Sequence, residues 1–408
     1  MTAPDASSLQ REKHIKYWQR CYTSFLPSAY TSNDSTRLTF ACFIVSALDL
    51  LSVPLPARDR AAIRTWVLSL QHPDGGFCGS PTHALPGQRA HLGTANLAAT
   101  FFALVLLGLA AEPEEAAARA AFVGVRRARL LRWLRRLQRE DGSFGQNLWD
   151  GEPVGGKDMR HSYLASSIRW MLRAWERPGE DVDVDSMVAY IRQGQTYDGG
   201  LAESSLNESH AGYAFCGVAT LAMLDRQSST PAKDPESAVS RGIPDREALI
   251  KFLVCRQFAY LAKEEEDDVA NDDSNFIQAE SGALAYTHVG FNGRWNKKAD
   301  TCYFWWVGGT LMLLDEAELI NTRPACRYVL DITQHAIGGF GKAGGSPPDV
   351  FHSYLGLAAL TTMGQEDLKP FDVGICCSKE VADKIQIASQ GLLQLIEQEE
   401  EQLAAAAR

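Results

Sequence analysis

The chain has 408 residues, 45% hydrophobic and 22% charged, with a formal net charge of −10 at pH 7. That length can build a large core in one big domain or two ordinary ones, and the balance is that of a soluble globular protein. The negative charge argues against a general nucleic-acid binder.

In chain order, the opening MTAPDASSLQREKHIKYWQR has no apolar run of the kind a secretory signal needs. Nine cysteines, an odd number without regular spacing, suit a reducing compartment, so a cytoplasmic protein is expected. The apolar stretch LAATFFALVLLGLAA, residues 97–111, is too short to span a bilayer comfortably. It predicts a buried helix, with no stable membrane insertion.

A seven-residue pattern then repeats. Gln71–Phe77 (QHPDGGF) returns as Gln138–Phe144 (QREDGSF), as Gln195–Leu201 (QTYDGGL) and, more weakly, as Gln334–Phe340 (QHAIGGF). Gly290–Arg294 is a further altered copy, separated from its own Gln257 by an insertion. The copies lie about 55–80 residues apart, room for two helices and their loops. Each is flanked by runs such as AAIRTWVLSLQ, LLRWLRRLQ, SYLASSIRWML and HAGYAFCGVATLAML, with apolar residues at the i, i+3, i+4 spacing of amphipathic helices. Asp-Gly-Gly supplies a turn, because glycine reaches positive φ without steric cost. The reading is helix, glycine turn, helix, repeated around a closed or curved all-α array, with the glycines fixing the fold.

Three segments break this rhythm. Residues 226–243, rich in Ser, Pro and charge, predict a surface loop. Residues 262–275 (AKEEEDDVANDDSN) predict a solvated acidic loop insertion. The tail at 390–408, ending IEQEEEQLAAAAR, predicts either a frayed helix or a disordered end. None is a convincing linker, so 1–408 is expected to be one domain.

The chemistry-bearing residues gather in GFNGRWNKKADTCYFWW. Asp300 and Cys302 lie there, and His352 follows some way on. A carboxylate, a thiolate and an imidazole suit Zn²⁺, and three protein ligands leave the fourth tetrahedral position open, the catalytic form of the site. The competing reading makes Asp300 a helix N-cap, Cys302 a core thiol and His352 a core histidine. Asp349, three residues before His352 and after two prolines, reads as an N-cap rather than a partner of the imidazole. Arg294 and Lys297 add cations beside the metal set, which suggests a soft ligand for the metal and an anion for the cations.

Taken together, QRCYTSFLPSAYTSNDSTRLTFACFIVSALDLL, KDMRHSY, NESHAGYAFCG, GFNGRWNKKADTCYFWW and GGFGKAGGSPPDVFHSYLG resemble the β-subunits of the protein prenyltransferases, nearest to those of type I geranylgeranyl transfer. The resemblance runs from about Tyr17 to Met363. It implies an α/α toroid that binds one Zn²⁺ through Asp300, Cys302 and His352. It implies that His210, Arg294, Lys297 and Tyr303 hold an isoprenoid diphosphate, and that Arg160, Tyr163, Tyr213 and Trp306 contact its chain, with Phe43 beside them. Thr39 stands where farnesyltransferases carry tryptophan, and Leu355 where they carry tyrosine, leaving room for a C20 donor. Lys342 stands where they carry a Mg²⁺-binding aspartate, so Mg²⁺ is not expected to be required. Thr94, Asn96 and His161 depart from the family at positions that read the acceptor's last residue.

The implied partners are a prenyltransferase α-subunit, geranylgeranyl diphosphate, and C-a-a-X proteins such as Rho-type small GTPases, often with leucine last. Farnesyl-type and Rab-type β-subunits are the nearest alternatives. A terpene cyclase on a similar toroid lacks support, because no Asp-rich protonation motif is present. A non-catalytic toroidal binding module would tolerate loss of the metal set, yet all three candidate ligands are present.

Overall fold

A computed structural model describes residues 8–177, 179–261, 276–278 and 284–406. The predicted acidic loop at 262–275 lies outside the described residues. The helices are α1 (Arg11–Thr23), α2 (Arg37–Leu50), α3 (Ala57–Ser69), α4 (Leu97–Ala110), α5 (Glu115–Arg119), α6 (Arg127–Leu137), α7 (Met159–Met171), α8 (Val184–Gln193), α9 (Ala211–Asp225), α10 (Ala238–Gly242), α11 (Arg246–Val254), α12 (Thr301–Leu313), α13 (Thr322–Arg327), α14 (Val350–Thr362) and α15 (Lys379–Ala406). A π-helical turn, Tyr328–Thr333, extends α13.

Six of these form an inner ring. Helix α2 packs on α4, α4 on α7, α7 on α9, α9 on α12, α12 on α14, and α14 back on α2. Their sequences explain the placement. Helix α4, LAATFFALVLLGLA, is apolar all round and almost wholly buried, as a helix covered on every side must be. The helices between them are one-faced. In α6, RARLLRWLRRL, Leu130, Leu131, Trp133, Leu134 and Leu137 are buried while most of the arginines face outward. Each fully buried side chain of this size contributes about 1.5–3 kcal/mol, so the division into inner and outer layers follows from the apolar pattern.

The repeated heptapeptides are the joints of the ring. Gln71 pairs with Phe77, Gln138 with Phe144, Gln195 with Leu201 and Gln334 with Phe340, each as one antiparallel bridge. Gln257 pairs with Phe291 in the same way, within a short two-stranded ladder. The altered fifth copy is therefore rebuilt across its insertion. Each glutamine also clamps the chain at or near the start of the next outer helix. Gln138 donates from Nε2 to Asp183 O at 2.7 Å and accepts from Asp183 N at 2.8 Å. Gln195 makes the same pair with Asp245, and Gln71 and Gln257 do so with Gly124 and Arg126, and with Leu319 and Asn321. Gln334 accepts from Gln10 N at 2.8 Å, which closes the ring onto its own beginning.

The turn glycines are required by close approach. Gly142 has φ +84°, and a Cβ there would sit 1.9 Å from Ser186 O in α8. Gly338 meets Lys13 O in α1 in the same fashion, at 2.2 Å. The structural reading of the glycines therefore holds.

One expectation needs correction, and one pair of alternatives is decided. The 226–243 segment is not all surface loop: Ser237 caps the short helix α10, and Ala238, Val239, Gly242 and Ile243 are buried. The tail from 390 continues α15 as far as Ala406. Val381, Ile385, Ala388 and Leu392 give α15 a buried stripe, and it packs against α4, α5 and α7. Near its end Glu400 pairs with Arg177 at 2.8 Å. The helix alternative for the tail therefore holds over disorder. All nine cysteines are free, and among the described residues no helix is long and apolar enough to cross a membrane.

Candidate metal and anion site

The N-termini of the inner helices gather at one rim, five of the six bonded to the loop that leads into the next: Leu38 N donates to Gly79 O, Leu97 N to Gln146 O, Met159 N to Glu203 O, Ala211 N to Gly293 O and Thr301 N to Lys342 O. Five carry a side-chain cap: Asn96, Asp158, His210, Asp300 and Asp349 each accept from a backbone N–H of the first turn. A helix N-terminus is electropositive and favours negative charge. Several of them on one rim make it a place for an anion before any side chain is counted.

Asp300 caps α12 by accepting from Cys302 N at 2.9 Å, and the cap brings carboxylate and thiol to the same side. His352 lies in the first turn of the neighbouring α14, with Nε2 3.3 Å from Asp300 Oδ1. Ligand atoms of Asp300, Cys302 and His352 all lie within 4.8 Å of one another. The N-cap and metal-ligand readings of Asp300 are thus compatible, because one carboxylate does the first and leaves an oxygen for the second.

The expectation for Asp349 was too narrow. It caps α14 through Oδ1, accepting from His352 N at 2.9 Å, while Oδ2 accepts from His352 Nδ1 at 2.6 Å. That bond fixes the imidazole tautomer and leaves Nε2 facing Asp300 and Cys302. Burial would lower the His352 pKa, but the Asp300 and Asp349 carboxylates outweigh it and raise it to about 9. Burial, reinforced by Asp300, pushes the Cys302 thiol well above its usual range. These groups demand positive charge among them. A divalent cation would supply it and hold sulfur as thiolate, so the donor set fits Zn²⁺.

The anion residues assemble in part. Tyr303, next to Cys302, has its hydroxyl 3.0 Å from His210 Nε2. His210 Nδ1 accepts from Gly212 N at 3.0 Å, so Nε2 carries the proton and donates to the tyrosine oxygen. The tyrosine proton is then free for a ligand. Burial, with Arg294 nearby, lowers His210 to about 4, and burial raises Tyr303. Both are neutral donors at pH 7. Lys342 Nζ stands 3.8 Å from Asp300 Oδ2 on an exposed side chain.

Arg294 is paired with Glu208, a counter-charge the sequence reading did not single out. Glu208 lies two residues before His210, and only that nearness could have pointed to it. Lys297 is exposed on the same segment and is not drawn into the cluster. Arg160 is likewise held by Asp158, with Nε 3.0 Å from both oxygens, and its guanidinium lies 5.7 Å from the Tyr213 ring.

The expected chain-contact residues form part of an aromatic belt around the inner ring. Phe43 meets Phe102 at 5.5 Å, Phe102 meets Phe101 at 5.0 Å, and Phe101 meets Tyr163 at 5.8 Å. Tyr163 meets Phe215 at 5.6 Å, and Phe215 meets Trp306 at 5.3 Å. On the other side Phe43 leads through Phe351, at 6.3 Å, to His352 at 5.1 Å. The sequence reading found Phe43, Tyr163 and Trp306 but missed Phe101, Phe102, Phe215 and Phe351. Inner-helix position was the available signal. Thr39 is half-buried on α2, and Leu355 on α14 is covered, 2% exposed. Thr94 and Asn96 lie at the start of α4, and His161 Nδ1 is 3.1 Å from Phe144 O.

Comparison with known proteins settles the family. Residues 9–377 match the prenyltransferase alpha-alpha toroid domain. The chain belongs to the prenyltransferase α/α toroid family. Among its relatives, the type-1 geranylgeranyl transferase β-subunit of Arabidopsis thaliana is 31% identical over 383 residues, covering 90% of this chain and 88% of that protein. The Dictyostelium discoideum protein of the same name is 27% identical over 87% of this chain and 91% of its own length. A Candida albicans protein geranylgeranyltransferase-I complexed with GGPP superposes with a TM-score of 0.74 at 26% identity, covering 93% of this chain and 98% of that one. In this prenyltransferase toroid, the metal-type cluster and the His210–Tyr303 pair share the rim where the inner helices begin.

Proposed function

We propose that this chain is the catalytic β-subunit of a zinc-dependent type I protein geranylgeranyltransferase. Joined to an α-subunit, it would transfer a C20 geranylgeranyl group from geranylgeranyl diphosphate to the cysteine of a C-terminal C-a-a-X motif, often with leucine last, on Rho-type small GTPases. The observation that carries this reading is the gathering of Asp300, Cys302 and His352 within 4.8 Å, beside Tyr303, the next residue of α12, and its partner His210 at the start of α9.

Bound by Asp300, Cys302 and His352, Zn²⁺ would lower the pKa of an acceptor thiol, so that its sulfur reacts as thiolate. Asp349 orients His352 for this role. In the transfer the sulfur forms a bond to C1 as the C1–oxygen bond to diphosphate breaks, and the thiol proton goes to solvent. The His210–Tyr303 pair offers a fixed O–H, and Arg294, Lys297 and Lys342 offer cations, to the charge that builds on the leaving diphosphate. Lys342 beside Asp300 supports a reaction without Mg²⁺. The aromatic belt, with Arg160 and Tyr213 at its edge, gives apolar area for the isoprenoid. Thr39 and Leu355 favour C20 over C15.

The α-subunit would cover apolar side chains such as Tyr197, Leu206 and Trp295, which are exposed beside the anion residues. The test is to co-express the two subunits and offer C15 and C20 diphosphates to C-a-a-Leu and C-a-a-Ser peptides. Preference for C20 with C-a-a-Leu supports the reading; preference for C15, or no thioether product, refutes it.

A further inference from the structure

Arg256 is the least satisfied charge among the described residues. It is 0% exposed, and Nε and both terminal nitrogens are buried without a hydrogen-bond partner. A guanidinium stripped of water and left unpaired is costly, so something must hold it. Two rings do. Its guanidinium carbon lies 3.9 Å from the Trp295 ring centre and 4.9 Å from that of Phe252.

Trp295 is the residue between Arg294 and the loop that leads to Lys297. Its indole Nε1 donates to Asp198 Oδ2 at 3.0 Å. Asp198 is itself held by Thr196, Ser209 and the backbone N–H of Gly200. Beneath the same segment Asn292 ties both ends down: its N–H donates to Arg256 O at 3.2 Å, and its side-chain Nδ2 donates to Lys297 O at 2.8 Å. The segment bearing the two anion-site cations therefore rests on Arg256 through one face of an indole and one asparagine.

We infer that Arg256 is a positioning residue of the anion site: stacked beneath Trp295, it sets the 292–298 segment so that Arg294 and Lys297 face an incoming diphosphate. Arg256 touches no ligand itself. Its charge is shielded by the rings, which makes the stacking strong because the cation is desolvated. Arg294 is meanwhile paired with Glu208, so the segment is held through Trp295 and its arginine by a carboxylate.

This inference rests on the proposed role of Arg294 and Lys297, and the experiment separates the two. In the α/β heterodimer, inorganic diphosphate affinity is measured for Arg294→Ala, Arg256→Met, Trp295→Leu and Trp295→Tyr, alongside zinc content and acceptor-peptide affinity. Arg256→Met and Trp295→Leu should each weaken diphosphate roughly tenfold, and the double variant should be no worse than either alone. Trp295→Tyr, which keeps a ring, should restore the affinity. Zinc content and peptide affinity should stay as in the wild type. If Arg294→Ala weakens diphosphate while Arg256→Met and Trp295→Leu do not, the inference is overturned. Losing zinc and peptide binding together with diphosphate would also overturn it, as plain destabilisation. If Arg294→Ala itself leaves diphosphate affinity unchanged, the assignment of the anion site falls first and this inference with it.

Discussion

Replacing Asp349 by asparagine divides two roles that one side chain performs. Oδ1 caps α14, and Oδ2 takes the Nδ1 proton of His352 at 2.6 Å. Asparagine keeps one oxygen, enough for the cap, and loses the charged acceptor for the imidazole. A hydrogen bond to a charged group is worth about 1.5–3 kcal/mol. At about 1.4 kcal/mol per factor of ten, zinc affinity should fall roughly 10–100-fold. Asp349→Ala should show the same loss of affinity and, because the cap goes too, a further ~1 kcal/mol of stability. The assay is competition for zinc against a chelator of known affinity, paired with thermal unfolding of the metal-free heterodimer. Wild-type zinc affinity in Asp349→Asn would refute the positioning role. Equal melting temperatures for the Asn and Ala variants would refute the cap.

Three further outcomes are expected. Gln138→Ala removes both clamp bonds to Asp183 and should cost about 1–3 kcal/mol in denaturant unfolding, whereas a change within error would mean the clamps are decorative. His14, fully buried with Nδ1 accepting from Gly339 N, is lowered by burial to about 4 despite its bond to Gln334. The unfolded chain then binds the proton more readily, so stability present above pH 6.5 should drain away as pH falls toward 4, by about 3 kcal/mol; His14→Gln should flatten that slope, and an unchanged slope would contradict the assignment. Thr39→Trp should overpack the pocket by about 1–3 kcal/mol, lowering C20 against C15 turnover by one to two powers of ten, and an unmoved ratio would remove Thr39 from the pocket.

The sequence carried the fold to a useful depth because its repeats are local. A Gln followed by an Asp-Gly turn predicts a bend from neighbouring residues alone, and even the split copy at Gln257 and Phe291 was recognisable. What those glutamines do was not legible, since four of them bond to a segment 45–64 residues further on and Gln334 reaches back to Gln10. The metal set was visible as residue types, and its geometry followed from two adjacent N-caps. For Asp349 the cap was favoured over a partner of His352, because nothing in the sequence shows that the second carboxylate oxygen lets it be both. Glu208 and Asp158 were missed for a similar reason: an acid, exposed like Glu208 or buried like Asp158, becomes informative only when an arginine is found on it. Arg256 looked like any helix-end arginine until its burial was known. For the tail the helix alternative holds, and the stripe that docks α15 lies mostly ahead of the acidic end, at Val381, Ile385, Ala388 and Leu392.

The central claim divides the rim into a metal half and an anion half with separate duties. It is tested most directly by Cys302→Ala and His352→Ala in the heterodimer, measuring zinc content, thioether formation and geranylgeranyl diphosphate affinity on the same preparations. The account predicts loss of zinc and of turnover with diphosphate affinity largely retained. Retention of both zinc and activity in Cys302→Ala would contradict it.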